Sequence, residues 1–188
     1  LMGTQMVTKG FDFPNVTMVG IINADQLFNF PDFRGAERTF QLLTQVAGRA
    51  GRGKKEGVVV IQTYHPQQYA IVYSQRQDYE AFYNEEIKLR SELSLPPFSR
   101  LIILRIFGKD KVRVREAAEK IVAVLKLWQG LVFYGPKESF RFRIRKMFRY
   151  FILIKIDKEF PIERFRFLLE WKESGVRLDI DVDPQEVI

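Results

Sequence analysis

An amphipathic helical segment separates two runs of continuous apolar, β-branched residues in the first third of the chain. The runs are VTMVGIINA at residues 16–24 and VVVIQT at residues 58–63. Between them, the apolar residues of segment 34–50 recur at helical spacing. Strands that are apolar at every position are typical of a parallel sheet that is buried on both faces. A strand, a helix and a second strand in this order therefore predict a parallel α/β unit.

The second half of the chain predicts a unit of a different class. The predicted elements are a strand, a helix and a strand at 101–107, 112–127 and 131–134, and again at 150–156, 161–173 and 176–182. We expect Gly135-Pro136 to stop the third of these elements, because proline cannot donate a ladder hydrogen bond. The order β-α-β-β-α-β is the signature of a ferredoxin-like α+β sandwich.

A polar, aromatic segment at residues 67–93 joins the two parts and predicts one or two amphipathic helices. The helical signal ends at LPPF, since each proline removes an N–H and restricts the residue before it. The predicted domains are therefore 1–66, a helical connector 67–97, and 98–188.

Charge is concentrated in the last part of the chain. The chain has 30 Lys and Arg against 23 Asp and Glu, a formal charge of +7, and residues 101–188 hold 19 basic and 13 acidic residues, a net +6. This balance favours an anionic partner. With no Cys and one His, the chain offers too few ligands for a structural zinc site, and we predict no metal ligands in these residues. No apolar run is long enough to span a membrane.

The segment QVAGRAGRG at residues 45–53 is the most informative motif. On a helix, Gln45, Arg49 and Arg52 lie at i, i+4 and i+7 and share one face. Two guanidinium groups so placed can grip a phosphate, as an arginine finger does during phosphoryl transfer. The alternative is a helix end with solvated arginines. The overlapping GRAGRGKK is not a P-loop, because Lys55 replaces the hydroxyl residue and a helix precedes it.

A second motif, GTQMVTKGFDFP at residues 3–14, combines turn residues with polar groups. Gly3 and Gly10 permit tight turns, and Thr4 offers a hydroxyl and an N–H to a phosphate oxygen. Asp12 can orient a ribose hydroxyl or a water. Each of these pieces taken alone is typical of an ordinary loop.

The basic stretch 137–149 carries six cations and one acid, Glu138, with phenylalanines interleaved. The cations are Lys137, Arg141, Arg143, Arg145, Lys146 and Arg149. On a strand, Arg141, Arg143 and Arg145 share one face. Two interpretations remain open. The stretch either contacts DNA by phosphate neutralisation and base stacking, or forms a solvated edge that prevents aggregation.

The two motifs, with a strand and a helix between them, resemble motifs V and VI of superfamily 2 helicases. Longer segments of the sequence make the resemblance more specific. They are GTQMVTKGFDFPNVTMVGIINAD, PDFRGAERTFQLLTQVAGRAGRG, VVVIQTYHP, LSLPPFSRL and DVDP, in this order along the chain. Over nearly its whole length the chain resembles the PriA-type primosomal replication-restart helicases.

The resemblance implies the end of a RecA-like lobe followed by the ferredoxin-like domain, in an ATP-driven 3′→5′ DNA helicase. That helicase recognises stalled forks and promotes primosome assembly. ATP and Mg²⁺ would be shared with a first lobe outside this chain, and Zn²⁺ would belong to a segment of the parent protein that is absent here. Gln45, Arg49 and Arg52 would face the γ-phosphate, Gly10 and Asp12 would lie near the nucleotide, and Gly3 and Thr4 would touch the DNA backbone.

For the C-terminal domain, the resemblance implies contacts with forked or single-stranded DNA and with primosome proteins. Arg164 and Arg166 would meet the acidic tail of single-stranded DNA-binding protein. The protein would work in the bacterial cytoplasm, at the nucleoid. Two alternatives stay open: a non-enzymatic DNA-binding or adaptor module, and another superfamily 2 DNA translocase, against which LPPFS and DVDP argue.

Overall fold

The structure, a computed structural model, describes residues 16–28, 32–48, 50, 57–144 and 146–185. The chain divides into two compact units, Leu1–Leu89 and Arg90–Ile188. This division falls inside the segment 67–97 that the sequence predicts as a helical connector. The predicted domain limits stay a prediction.

The first unit contains a two-stranded parallel sheet. Strand β1 (Met18–Ile21) leads through a 3-10 turn (Ala24–Leu27) to helix α1 (Gly35–Ala47), which precedes strand β2 (Val58–Ile61). The two strands pair in parallel, from Met18 opposite Val58 to Ile21 opposite Ile61. The predicted order of strand, helix and parallel strand is confirmed.

The prediction that these strands are buried on both faces is wrong for the described residues. Along β1 and β2 exposed residues alternate with half-buried ones, and Met18, Val58 and Val60 are all more than half exposed. Continuous apolar runs usually mark a strand covered on both sides. Here, within the described part of the chain, one face of the sheet has no cover.

Two further helices pack on α1 through aromatic rings. Helices α2 (Tyr69–Arg76) and α3 (Tyr79–Glu92) resolve the open choice between one helix and two. Gln77 ends α2 in the left-handed conformation, and the Asp78 carboxylate accepts the Ala81 N–H at the start of α3. The Phe40 and Phe82 rings stack 4.3 Å apart in the core of this unit.

The second unit is a four-stranded antiparallel sheet. Its elements are β3 (Ser99–Gly108), α4 (Lys111–Leu125), β4 (Leu131–Ile144), β5 (Met147–Asp157), a 3-10 turn (Ile162–Arg166), α5 (Phe167–Glu170) and β6 (Val176–Val182). The strand order is β4-β5-β3-β6, with every neighbouring pair antiparallel. This is the ferredoxin-like arrangement, and the predicted fold class is confirmed.

The larger part of the core of the second unit lies on one face of this sheet, and Leu101, Ile103 and Phe151 are buried on the other. Ile102, Leu104 and Ile106 of β3, with the even-numbered residues of β5, pack against α4. The helix begins at Asp110, whose carboxylate accepts the N–H groups of Val112 and Arg113. The odd-numbered residues of β3 and β5 point to the opposite face, which we call the helix-free face.

The prediction that Gly135-Pro136 stops the strand is wrong, because β4 continues to Ile144. The pairing of β4 with β5 shifts register between Tyr134 and Lys137 and again between Glu138 and Arg143. An edge strand accommodates proline at a bulge, where the missing N–H breaks no central ladder. Gly135 has a φ of +117°, and a Cβ there would lie 2.7 Å from the Phe151 carbonyl oxygen.

The predicted helix 161–173 is confirmed only in part. The segment forms the 3-10 turn followed by the single α-helical turn of α5. The rings of Phe165 and Phe167 both meet the Trp128 ring edge-on, at 5.2 and 5.4 Å. The helical conformation ends after Glu170, because Trp171 has an extended backbone.

Truncation of Leu104 to alanine should lower the free energy of unfolding of the second unit by about 2–5 kcal/mol, since this side chain is fully buried in the core. Both tryptophans of the chain, Trp128 and Trp171, lie in this unit, so tryptophan fluorescence during urea unfolding reports on it. Leu127→Ala is the control, because Leu127 is 81% exposed, and its effect should stay within about 0.5 kcal/mol. Equal effects of the two substitutions would contradict this core.

Candidate nucleic-acid interface

A buried carboxylate joins the segments that follow the two parallel strands of the first unit. Asp25 is 5% exposed and accepts hydrogen bonds from the Thr63 hydroxyl at 2.8 Å and the Tyr64 N–H at 3.0 Å. The backbone adds a second link, because the Ala24 N–H donates to the Gln62 carbonyl at 2.9 Å. The carboxyl ends of parallel strands are where α/β proteins bind ligands, and Asp25 holds this end together.

The pKa of Asp25 lies below its ordinary value. The Tyr64 N–H is the main cause, and the Thr63 hydroxyl adds to it, while burial acts in the opposite direction. Both bonds favour the ionised form. Asp25 is therefore a carboxylate at neutral pH.

The structure describes only part of the segment 45–53, which the sequence predicts to bind a phosphate. Gln45 lies on α1 and is exposed to solvent, and α1 ends where the Gly48 N–H donates to the Thr44 carbonyl at 3.0 Å. Arg49 and Arg52, which complete the predicted face, lie outside the described residues. Gly3, Thr4, Gly10 and Asp12 lie outside them as well.

Two of the predicted DNA-contacting residues lie on the helix-free face of the antiparallel sheet. Lys137 of β4 is opposite Phe151 of β5, and Arg149 of β5 is opposite Phe107 of β3. Neither cation has an ion-pair partner among the described residues. Arg145 and the side chains of Arg141 and Arg143 lie outside the described part of the chain.

Glu138, the acidic residue of the basic stretch 137–149, points away from Lys137 and Arg149. Glu138 is opposite Tyr150, a residue of the core on the helix side of the sheet. There the Tyr150 hydroxyl donates to the Glu138 carboxylate at 3.2 Å, and Lys111 forms an ion pair with it at 3.2 Å. Burial raises the pKa of Tyr150, and the hydrogen bond to Glu138 raises it further. The sheet thus separates the acid from Lys137 and Arg149.

Two further arginines lie on the helix-free face, and sequence reasoning missed them. Arg105 of β3 is opposite Phe151, and Arg177 of β6 is opposite Phe107. Arg105 interrupts the apolar run LIILRIF, and this interruption was the available signal. Arg177 gave no local signal, because only the pairing of β6 with β3 places it beside Phe107.

The acidic end of the chain is less solvated than the sequence suggests. Asp181 forms an ion pair with Arg105 at 3.0 Å, and Asp183 accepts two hydrogen bonds from Arg100, at 2.7 and 3.0 Å. The hydrogen bonds that Arg100 donates to Asp183 raise the pKa of Arg100. Asp179 is exposed beside them. No cluster of metal-ligating side chains occurs within the described residues.

The residues predicted to meet an acidic partner lie together in the 3-10 turn. The Arg164 guanidinium lies over the Phe160 ring, 5.8 Å from its centroid, and Arg166 is an exposed residue at the end of the turn. A guanidinium held over a ring keeps its N–H groups available at the edge.

Comparison with known proteins gives a consistent result. A family model described as "Primosomal protein N C-terminal domain" matches residues 91–185. The chain is 42% identical over 192 residues to replication restart protein PriA of Bacillus subtilis (strain 168), which covers 98% of this chain and 24% of that protein. The proteins of the same name from Synechocystis and Rickettsia felis are 41% and 39% identical, over 100% and 98% of the chain and 23% and 29% of their own lengths. The chain thus spans about a quarter of the length of these curated relatives.

None of the helices described is long and apolar enough to cross a membrane.

Replacement of Asp25 by alanine should loosen the segment after β2, because the Tyr64 N–H and the Thr63 hydroxyl lose their acceptor. We expect faster amide hydrogen exchange in residues 57–68 at neutral pH, after correction for intrinsic rates. Because the folded-state pKa is lowered, the carboxylate stabilises the fold fully above its ordinary pKa of 3.8 and loses this effect as the pH falls through the folded value. The difference between the variant and the native chain should shrink in that range.

Asp157→Ala in the second unit is the control, because Asp157 is exposed. Unchanged protection of residues 57–68 in Asp25→Ala would show that the carboxylate does not hold the segment.

Proposed function

Because the chain belongs to the primosomal protein N (PriA) family, we propose that its parent protein is an ATP-dependent 3′→5′ DNA helicase acting in replication restart. The parent recognises stalled forks and promotes primosome assembly there. The DNA-binding part of this proposal rests on the separation of charges between the two faces of the antiparallel sheet. Lys137 and Arg149 lie on the helix-free face without acidic partners among the described residues, whereas Glu138 lies on the other face.

In this proposal the first unit contributes to ATP hydrolysis. Gln45, Arg49 and Arg52 face the γ-phosphate across a cleft, and Gly10 and Asp12 lie near the nucleotide. ATP and Mg²⁺ are shared with a lobe that this chain does not contain. The exposure of Gln45 on α1 supports the proposal, because a side chain that meets a ligand across a cleft has to be uncovered within its own unit.

The second unit contributes DNA contacts and partner binding. Lys137, Arg141, Arg143, Arg145 and Arg149 neutralise phosphates, and Gly3 and Thr4 contact the backbone from the first unit. Arg164 and Arg166 bind the acidic tail of single-stranded DNA-binding protein. Primosome proteins are the further partners, and Zn²⁺ binds only to a segment of the parent outside this chain.

A second candidate function applies to the 188-residue chain by itself, as a non-enzymatic DNA-binding module. The self-contained core of the second unit favours it, since the sheet, α4 and the 3-10 turn bury one continuous cluster. The two functions are compatible, because the parent can use this unit as its DNA-binding module.

Arg49→Ala or Arg52→Ala in the full-length protein should abolish DNA-stimulated ATP hydrolysis and leave DNA affinity largely intact. The physical reason is that an arginine finger contributes about 10³–10⁵ in rate by stabilising charge on the transferred phosphoryl group. Steady-state ATPase assays and equilibrium DNA binding measure the two effects. The 188-residue chain alone should show no ATPase activity, and mutation-sensitive turnover by it would contradict the proposed division of the nucleotide site.

Neutralisation of Arg141, Arg143 and Arg145 to glutamine should flatten the salt dependence of DNA affinity. Each lost phosphate contact lowers the slope of log Kobs against log salt by about 0.7 for single strands. Lys137→Gln with Arg149→Gln should do the same. The matched control is Arg113→Gln with Lys126→Gln, an exposed cation of α4 and the exposed cation that directly follows this helix, both on the helix side of the sheet. An unchanged slope in both test variants would favour the solvated edge.

A further inference from the structure

Aromatic rings and cations alternate across the helix-free face of the antiparallel sheet. The set comprises Tyr134 and Lys137 of β4, Arg149 and Phe151 of β5, Phe107 of β3 and Arg177 of β6. We call it the aromatic–basic platform. Its members span 71 positions of the sequence, from 107 to 177 counted inclusively, and only strand pairing brings them together.

The register places each ring of the platform next to a cation. Phe107 lies between Arg149 on one neighbouring strand and Arg177 on the other. Lys137 is opposite Phe151, and its ammonium group lies 5.9 Å from the centroid of the Tyr134 ring. The Tyr134 and Phe151 rings are 6.2 Å apart. Each ring of the platform therefore has a cation beside it.

One ring of the platform is exposed and a second is half-buried. Tyr134 is 57% exposed, and Phe107 is half-buried. Phe151 is buried, and its ring is tilted by 44° relative to the Tyr134 ring. The platform thus presents aromatic surface with cations around it, which is the combination that binds phosphates and bases at the same time.

We propose that the aromatic–basic platform binds single-stranded DNA by stacking bases on Tyr134 and Phe107, with Lys137, Arg149 and Arg177 on the phosphates. The inference rests on the DNA contact of the proposed function and specifies its mode and place. A single strand is the occupant, because the rings can reach base faces only where the bases are unstacked from a duplex. The three cations supply the complementary charge.

The acids of β6 mark the limit of the platform. Asp181 is held by Arg105, and exposed Asp179 lies in the same row of the sheet as Arg105 and Phe151. A phosphate backbone is repelled there, so the DNA runs over β4, β5, the end of β3 and the start of β6 at Arg177. Phe148, one of the phenylalanines in the basic stretch, is opposite Gly108 and therefore on the helix side, away from the platform.

The test compares two ligands of equal charge. A dT oligomer of about 12 nucleotides and an abasic strand of the same length are titrated into the 188-residue chain, and binding is followed by fluorescence anisotropy. The native chain should bind the dT oligomer at least about five-fold more tightly than the abasic strand, because stacking contributes to only one of them. Tyr134→Ala should remove most of this preference, and Tyr134→Phe should retain it.

The cation variants give the complementary result. Lys137→Gln with Arg149→Gln should weaken both ligands and lower the salt slope, with the preference for dT preserved, while Arg113→Gln with Lys126→Gln changes neither. Thermal unfolding midpoints verify that each variant is folded. Photocrosslinking of an iodouracil-substituted strand, mapped by mass spectrometry, should mark Tyr134 or Phe107.

Each contrary outcome has a distinct meaning. Equal affinity of the native chain for dT and abasic strands, or crosslinks confined to other segments, overturns the stacking platform while the phosphate contacts of the proposed function stand. An unchanged preference in Tyr134→Ala also overturns it. Failure of the native chain to bind either ligand removes both the platform and the DNA contact assigned to this unit.

Discussion

The ten-residue antiparallel pairing between β3 and β5 is the constraint on which the second unit depends. It runs from Ser99 opposite Asp157 to Gly108 opposite Phe148. Because successive side chains of a strand point to opposite faces, this single register buries Ile102 and Leu104 under α4 and at the same time places Phe107 beside Arg149. A slip of one residue would exchange the two faces and expose the core. Stability and the candidate nucleic-acid surface are thus consequences of the same register.

The same sheet separates charges that the sequence places side by side. Lys137 and Glu138 are neighbours in the chain, yet one faces the platform and the other faces α4, where Lys111 and Tyr150 bind its carboxylate. Lys137 and Arg149 therefore face away from the acidic residue of their own stretch. In the first unit the carboxylate of Asp25 has a structural role. It is buried and ionised, and its two hydrogen bonds join the segments that follow the two parallel strands.

Local patterns predicted most elements correctly, and the errors have identifiable physical causes. The predicted strand 176–182 matches β6, and both units have the predicted classes. The end predicted at Gly135-Pro136 failed because an edge strand tolerates a bulge, and the helix predicted to reach residue 173 ends at Glu170, because Trp171 has an extended backbone. Of the candidate site, the cations of β4 and β5 were found as a basic run, whereas Arg105 and Arg177 were missed because their neighbours lie on other strands.

The sequence by itself determined the order and type of the elements, the motif QVAGRAGRG and the family, since each of these is carried by spacing within short segments. The tertiary structure alone decided which residues share the helix-free face, because strand register couples positions as far apart as Tyr134 and Arg177. It also decided that Glu138 turns away from the cations around it. Such pairings follow from the burial of the whole sheet against α4, a property that no local window of the sequence contains.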